Sequence, residues 1–136
     1  SSDLLQDEEI LYPYANDGEI DFMLSVAQIS YNQFKSGVKE GGVIVVEPNL
    51  VSPTDEDRKK WKIYEIPIIT IAKEEVGNVI TQSVLALAMA NYFTGETVSN
   101  DVLRATMLSK VPEKVHAINN KAFDLGLKYA EEVSKA

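Results

Sequence analysis

The side chains that could do chemistry in this sequence are few, and their spacing assembles no complete reactive centre. The 136 residues include one histidine, His116, and no cysteine. A Ser-His-Asp triad would have to use His116, yet no Gly-x-Ser-x-Gly turn presents a nucleophile. The lack of cysteine excludes a thiolate zinc site, an iron–sulfur cluster held by this chain and a cysteine nucleophile. We therefore predict no catalytic residue, and we interpret His116 as a partly exposed structural histidine rather than a functional one.

Metal and phosphate sites have equally little support in the sequence. One histidine and scattered carboxylates offer neither H-x-x-x-H nor D-x-D spacing, so we predict no metal ligand. The pair Gly41-Gly42 precedes a predicted strand, whereas glycines that bind phosphate follow a strand and open a helix. We interpret the pair as a tight turn into a buried strand, and we predict that this chain binds no cofactor.

A first group of polar residues stands at the start of an apolar segment. Residues 79–93 are apolar nearly all round, which predicts a buried helix. Asn78, Thr81, Gln82 and Ser83 interrupt this pattern, and a buried amide or hydroxyl costs about 1–3 kcal/mol unless it is bonded. Asn78 could cap the helix while Thr81 and Ser83 bond back to its backbone. Alternatively, the group faces a partner subunit or an anionic ligand at the helix N-terminus.

A second group lies in the last predicted helix, where residues 119–126 read NNKAFDLG. Adjacent asparagines and a mid-helix glycine both lower helix propensity. Gly126 most simply permits close packing of a neighbouring element, and Asn119 could cap a nearby strand or loop. We take Asn119 and Lys121, with the four residues of the first group, as candidates for a subunit interface or a ligand-facing surface.

Strands alternate with helices in the first half of the chain. Strands are predicted at residues 20–24, 43–46 and 62–66, and the four β-branched residues of 43–46 indicate a strand covered on both faces. Residues 4–14 resemble an extended or looped lead-in, and Asn16-Asp17-Gly18 is typical of a turn. The charged residues 52–60 indicate an exposed loop or helical turn, with a docking role as the alternative.

The second half is predicted to be helical. Helices are expected at residues 26–34, 68–75, 79–93 and 100–108 and from Pro112 onward, with Ser25 and Ser99 as N-caps. One apolar stripe is expected along the last helix, formed by Val115, Ile118, Ala122, Leu125 and Tyr129.

Composition and element order predict one α/β domain over residues 1–136. We expect a three-layer α/β/α fold with a central mixed, largely parallel sheet and a helical C-terminal half. The net charge of −8 disfavours nucleic-acid binding. No signal peptide and no apolar run near 18 residues are found, which predicts a cytoplasmic protein without membrane contact.

With these elements in place, the sequence resembles the gamma component of the 2-oxoacid:ferredoxin oxidoreductases, the family of the pyruvate, 2-oxoglutarate, 2-oxoisovalerate and indolepyruvate enzymes. The resemblance rests on Gly77-Asn78 before the apolar helix, on VPEK at residues 111–114 and on residues 119–126, and it covers essentially the whole chain. Residues 78–83, NVITQS, favour the 2-oxoglutarate branch.

The sequence also departs from the family pattern. Ser83 stands where the family often has Asn, and Ala88 stands where it often has Gly. The glycine-rich strand-turn-helix that opens family members is not found here. We therefore expect the N-terminal segment to be missing, and its strand would belong at the middle of the sheet.

The resemblance implies one component of a larger enzyme, which oxidatively decarboxylates a 2-oxoacid, forms an acyl-CoA and reduces ferredoxin. It implies alpha and beta subunits and a ferredoxin-like subunit as partners. Thiamine diphosphate, Mg and iron–sulfur clusters would lie on those partners, with CoA as a co-substrate. We expect the isolated chain to be inactive. Two alternatives stay open: a small-ligand or CoA-binding domain, and a dimerisation module built on residues 79–93.

Overall fold

The computed structural model describes the backbone of Glu9–Tyr12 and the whole of residues 18–136, and the chain divides into two compact units after Pro67. The first unit contains strands β1 (Glu9–Tyr12), β2 (Ile20–Ser25), β3 (Val38–Val46) and β4 (Lys62–Glu65), helices α1 (Gln28–Phe34) and α2 (Asp55–Lys60), and a 3-10 turn at Lys35–Gly37. The second unit contains α3 (Ile68–Thr70), a π-helix (Ile71–Val76), a 3-10 turn (Val79–Thr81), α4 (Gln82–Phe93), α5 (Asn100–Ser109), a 3-10 turn (Glu113–Val115) and α6 (His116–Lys135).

The strands form one sheet in the order β1-β2-β3-β4. Strand β1 is antiparallel to β2, and the other two pairs are parallel. This is the mixed, largely parallel sheet expected from the sequence, and with the helical second unit it confirms the α/β class. Asn16, Asp17 and most of the predicted lead-in at residues 4–14 lie outside the described residues. Within the described residues, no helix has the length and apolar character needed to cross a membrane.

Strand β3 begins earlier than predicted. It starts at Val38, so Gly41 and Gly42 lie inside the strand and the prediction of a turn before it was wrong. Gly41 has a φ of +80°, a backbone conformation that glycine adopts readily. Ile20 pairs with Val38 and Phe22 with Val43, so two residue steps of β2 face five of β3 and three extra residues bulge out.

The start of α1 also differs from the prediction. Ser25 is not an N-cap, because it is still the last residue of β2 and its Oγ donates to the carbonyl oxygen of Ala27 at 3.2 Å. The helix therefore begins at Gln28. Its buried residue is Tyr31, while Ile29 is 81% exposed.

The core of the first unit lies between the sheet and its two helices. A cluster of buried side chains from β2, α1, β3 and the residues around α2 consists of Met23, Tyr31, Val38, Ile44, Val46, Val51 and Trp61. The indole N–H of Trp61 donates to the carbonyl oxygen of Val38 at 2.9 Å. The predicted exposed turn at residues 52–60 contains α2, which begins with a capping box between Thr54 and Asp57.

In the second unit, the predicted helices are present, but some begin or end differently from the prediction. The helix expected over residues 68–75 becomes a π-helix after Thr70 and ends at Gly77, whose φ is +93°. The apolar helix begins as a 3-10 turn before α4. Ser99 caps α5 as predicted, accepting from the Val102 N–H at 3.2 Å.

The predicted apolar stripe of α6 was wrong by about one position. The buried residues of this helix are Asn119, Ala122, Phe123, Gly126 and Ala130. Only Ala122 belongs to the predicted stripe, whereas Val115, Ile118, Leu125 and Tyr129 are half-buried. Gly126 lies on this buried face, directly against Leu85 and Ala88 of α4.

Candidate functional site

Helices α4 and α6 run side by side in the same direction. Gly126 of α6 lies against Leu85 and Ala88 of α4. Further along both helices, the Tyr92 hydroxyl lies 2.8 Å from Oγ of Ser134. Because the residue numbers rise together along both helices, the start of α4 adjoins the first half of α6, and the Val79–Thr81 turn contacts α6. This arrangement brings the first polar group and Asn119 to the same end of the helix pair.

Asn78 and Thr81 close the start of the apolar helix. The Asn78 side-chain oxygen accepts from the Ile80 N–H at 3.0 Å. The Thr81 hydroxyl donates to the Asn78 carbonyl oxygen at 2.7 Å, and Thr81 is buried. Asn78 therefore caps the helix start and Thr81 bonds back to the backbone, as in the first of the two interpretations of this group.

Gln82 and Ser83 behave differently. Both are half-buried, and their side chains form no hydrogen bond within residues 18–136. The back-bonding expected of Ser83 is thus not seen there. Beside them, Val79 is 46% and Ile80 76% exposed on the 3-10 turn. The start of α4 therefore presents one surface with two apolar side chains and two polar ones. The two polar side chains have no hydrogen-bond partner within residues 18–136.

Asn119 and Lys121 lie on different sides of α6. Asn119 is buried, and its Nδ2 donates to the carbonyl oxygen of Val115 at 2.8 Å. It therefore stabilises the start of its own helix rather than a distant strand or loop. Lys121 is exposed, and two residues correspond to about 200° around a helix. The structure does not bring Lys121 together with the other candidates.

Arg104 of α5 binds residues of the NNKAFDLG segment for which the sequence alone indicated no role. Its Nη2 donates to Asp124 Oδ1 at 2.6 Å, and its Nη1 donates to Asn120 Oδ1 at 3.3 Å. The guanidinium also lies 4.5 Å from the ring centroid of Phe123. This segment therefore packs α4 on one side through Gly126 and binds α5 on another through Arg104. Nothing in the sequence spacing pointed to Arg104, because its partners are 16 and 20 residues away.

His116 lies at the start of α6 and is half-buried. Its Nε2 is 3.1 Å from the carbonyl oxygen of Val111, within hydrogen-bonding distance. This local contact agrees with the structural interpretation of the residue. In the part of the chain that the structure describes, no three side chains of the metal-binding types are grouped so that they could hold an ion.

Comparison with known proteins assigns nearly the whole chain to one family. The profile of the family described as pyruvate ferredoxin/flavodoxin oxidoreductase matches residues 2–129. The chain is 29% identical over 130 residues to 2-oxoglutarate synthase subunit KorC of Methanocaldococcus jannaschii, covering 96% of this chain and 68% of that protein. It is 24% identical over 137 residues to indolepyruvate oxidoreductase subunit IorB of Pyrococcus horikoshii, covering 86% of this chain and 66% of that protein.

Solved structures give the same result. The gamma subunit of a keto/oxoacid ferredoxin oxidoreductase from Geobacter sulfurreducens matches with a TM-score of 0.75 and 29% identity, over 88% of this chain and 67% of that one. A 2-oxoglutarate:ferredoxin oxidoreductase chain from Magnetococcus marinus, solved with 2-oxoglutarate, coenzyme A and succinyl-CoA, matches with a TM-score of 0.68 and 25% identity. That match covers 90% of this chain and 22% of the other.

Proposed function

The chain belongs to the pyruvate ferredoxin/flavodoxin oxidoreductase family, and on that basis we propose that it is the gamma component of a thiamine-diphosphate-dependent 2-oxoacid:ferredoxin oxidoreductase. The complex would oxidatively decarboxylate a 2-oxoacid, transfer the acyl group to CoA and reduce ferredoxin. The observation that carries the proposal is the family match over residues 2–129, nearly the whole chain. The likeness in fold to the Geobacter gamma subunit supports the same role.

We propose 2-oxoglutarate as the 2-oxoacid. The M. jannaschii relative is a subunit of 2-oxoglutarate synthase, and it is more similar to this chain than the indolepyruvate relative from P. horikoshii, at 29% against 24% identity. The sequence NVITQS at residues 78–83 favours the same branch. The product of the complex would then be succinyl-CoA.

The cofactors of such a complex belong, in this proposal, to partner subunits. An iron–sulfur cluster needs thiolate ligands, and the chain has no cysteine to offer one. Thiamine diphosphate and its Mg²⁺ would be held by the alpha and beta subunits, and the iron–sulfur clusters by these or a ferredoxin-like subunit. CoA would enter as a co-substrate.

The surface at the start of α4 is the candidate contact with the alpha and beta subunits. Val79 and Ile80 supply apolar area, and Gln82 and Ser83 supply polar groups that a partner backbone could bond. Asn78, Thr81 and Asn119 would fix the backbone of that surface through their local bonds. Lys121 would be a separate contact on the other side of α6.

Homodimerisation through the apolar helix is less favoured by the structure. Most of the apolar side chains of α4 are buried, among them Leu85, Ala86, Ala88 and Met89, so this helix has little area left for a second copy. A stand-alone ligand-binding domain remains the alternative. It predicts submicromolar binding of CoA or a 2-oxoacid by the isolated chain in calorimetry.

Reconstitution tests the proposal. We expect the purified chain to show no 2-oxoacid-dependent reduction of methyl viologen with CoA, thiamine diphosphate and Mg²⁺. Co-expression with the alpha, beta and ferredoxin-like components should yield a complex with this activity, and its kcat/KM should be highest for 2-oxoglutarate among the family's four 2-oxoacids. Turnover by the chain alone, or a complex that is equally active without it, would contradict the proposal.

A further inference from the structure

One hydrogen bond joins the segment that leads into α4 to helix α6. The Tyr129 hydroxyl of α6 donates to the Glu75 carboxylate near the end of the π-helix, although the two residues are 54 positions apart. Among the described residues, no other hydrogen bond connects residues 71–83 with α6. Within the described part of the chain, the bond is therefore the one polar link between this segment and the helix beside it.

The π-helix presents Glu75 to Tyr129. Ile71 and Ala72 are buried, and in an α-helix Glu75 would lie between them on the same face, because residues three and four positions apart are neighbours there. In the π-helix Glu75 is exposed instead and reaches Tyr129. A π-helix is rare and frequently occurs at functional sites. Residues 71–76 contain neither glycine nor proline, so local helix propensity does not account for this one.

The segment between Glu75 and the surface at the start of α4 is short and bonded along its length. The Ala72 carbonyl oxygen accepts from the N–H groups of Gly77 at 3.0 Å and Asn78 at 2.9 Å. Asn78 in turn accepts from the Ile80 N–H, which begins the 3-10 turn. The position of Glu75 relative to α6 is therefore passed on to the exposed side chain of Ile80.

We propose that Glu75 and Tyr129 are positioning residues for the contact with the alpha and beta subunits, an inference that rests on the function proposed above. Their hydrogen bond holds the start of α4 in the orientation that the partner binds. A segment that has to be ordered during association lowers the affinity, whereas a segment that is already ordered avoids this cost. The pair acts through the surface at the start of α4 and not by touching the partner.

Removal of either member of the pair should weaken assembly. We expect Glu75→Ala and Tyr129→Phe each to raise the Kd of the tagged chain for its co-purified alpha and beta components by about five- to tenfold, measured by biolayer interferometry. The double variant should bind about as well as either single variant, because both substitutions remove the same bond. Glu75→Gln keeps an acceptor oxygen for the Tyr129 hydroxyl and should restore most of the affinity.

Two controls separate positioning from other causes. Glu74→Ala removes the adjacent exposed carboxylate, which forms no hydrogen bond or ion pair within the described residues, and its Kd should stay within about twofold of the wild type. Asn91→Ala removes buried hydrogen bonds at the opposite end of α4, about 14 Å along the helix from Gln82. In denaturant unfolding it should destabilise the chain at least as much as Tyr129→Phe, yet leave the Kd unchanged.

The outcomes separate this inference from the proposed function. Assembly of Tyr129→Phe with wild-type affinity would overturn the positioning role and leave the gamma role intact, even if Glu75→Ala binds weakly, since Glu75 would then contact the partner itself. A Kd that rises with the loss of stability in every variant, Asn91→Ala included, would assign the bond to folding alone and overturn the inference. Failure of the wild-type chain to assemble at all would overturn both proposals.

Discussion

Gly126 of α6 lies directly against the backbone of Leu85 in α4. A Cβ atom added at position 126 would stand 2.7 Å from the Leu85 carbonyl oxygen and 2.8 Å from the Cβ atom of Ala88. Real Cβ atoms essentially never come so close to other heavy atoms, so the two helices meet where only a hydrogen atom fits. The close contact between α4 and α6 therefore offsets the cost of a glycine in the middle of a helix.

Gly126→Ala tests this contact, because packing and helix propensity predict changes of opposite sign in the free energy of unfolding. Helix propensity alone predicts a gain of about 1 kcal/mol in the free energy of unfolding. Because the added methyl group meets backbone, we expect instead a loss of about 1–3 kcal/mol, measured by urea unfolding. Ala117→Gly, at an exposed position in the first turn of the same helix, should cost less than about 1 kcal/mol, because the full glycine penalty applies only in a helix interior, and it serves as the propensity control. A more stable Gly126→Ala protein would contradict the packing described here.

The carboxylate of Asp57 makes the free energy of unfolding depend on pH in the acid range. It accepts from the Tyr31 hydroxyl at 2.9 Å and from Lys35 Nζ at 3.1 Å, which ties α1 to α2. Burial pushes the pKa of Asp57 upward, but hydrogen bonds from the Thr54 backbone, Lys35 and Tyr31 outweigh burial and hold the pKa below its usual 3.8. The folded pKa is thus below the unfolded one, so this stabilisation is present above about pH 4 and is lost as the pH falls through the folded value.

Asp57→Asn should therefore lower the free energy of unfolding at pH 7 by about 2 kcal/mol. The difference from the wild type should shrink as the pH falls below about 4. Urea unfolding at several pH values from neutral to acid measures this difference. A gap between the two proteins that stays constant across the acid range would show that the carboxylate charge is not the cause.

Tyr129 makes the free energy of unfolding depend on pH in the alkaline range, where its stabilising contribution is lost as the pH rises. Its hydroxyl donates to the Glu75 carboxylate. This hydrogen bond, partial burial and the charges of Glu75 and Glu132 raise the pKa of Tyr129 from 10.0 to about 12. Because the folded pKa is above the unfolded one, the stabilisation is complete below pH 10 and is lost as the pH rises towards 12.

Tyr129→Phe removes this contribution. The difference in unfolding free energy between wild type and variant should be constant below about pH 10 and should narrow above it. Chemical unfolding followed by circular dichroism measures both proteins side by side. Burial and the bond to Asp57 also raise the pKa of Tyr31. Because both proteins contain Tyr31, its contribution cancels in the difference between their unfolding free energies. A difference that widens above pH 10 would contradict the assignment.

Asn91 holds the connection between α4 and α5. Its buried Nδ2 donates to the Val98 carbonyl oxygen at 2.7 Å and to Asn100 Oδ1 at 2.9 Å. Asn91→Ala should lower the unfolding free energy by about 2 kcal/mol, because both hydrogen bonds donated by this buried side chain are lost. Asn100→Ala keeps the Val98 bond and should cost clearly less, by the same denaturant measurement. Equal losses for the two variants would show that the Val98 bond is unimportant.

Local patterns in the sequence predicted the elements better than their ends. The β-branched run at residues 43–46 identified β3, and Ser99 identified the start of α5. The start of β3 was missed because a positive φ at Gly41 lets the strand bulge and continue, which looks like a turn in sequence. Ser25 was misassigned because its pairing with Val46 keeps it in the sheet, a contact between residues 21 positions apart.

The candidate site was predictable only in part, for a similar reason. Asn78 and Thr81 bond within three residues of themselves, so spacing could anticipate their capping role. Arg104 could not be found that way, because its bonds to Asn120 and Asp124 depend on how two helices pack. The same holds for the buried face of α6, which is set by where α4 makes contact rather than by the periodicity of α6 itself.

The bulge in β3 has a consequence for how this chain can change in length. Pairing with β2 and β4 fixes Val43, Ile44, Val45 and Val46, and the extra residues of the bulge precede these four. An insertion or deletion between Val38 and Gly42 would be absorbed locally, and the inward and outward faces of the following residues would not be exchanged. Homologues should therefore differ in length at this point of the sheet while keeping the same central strand.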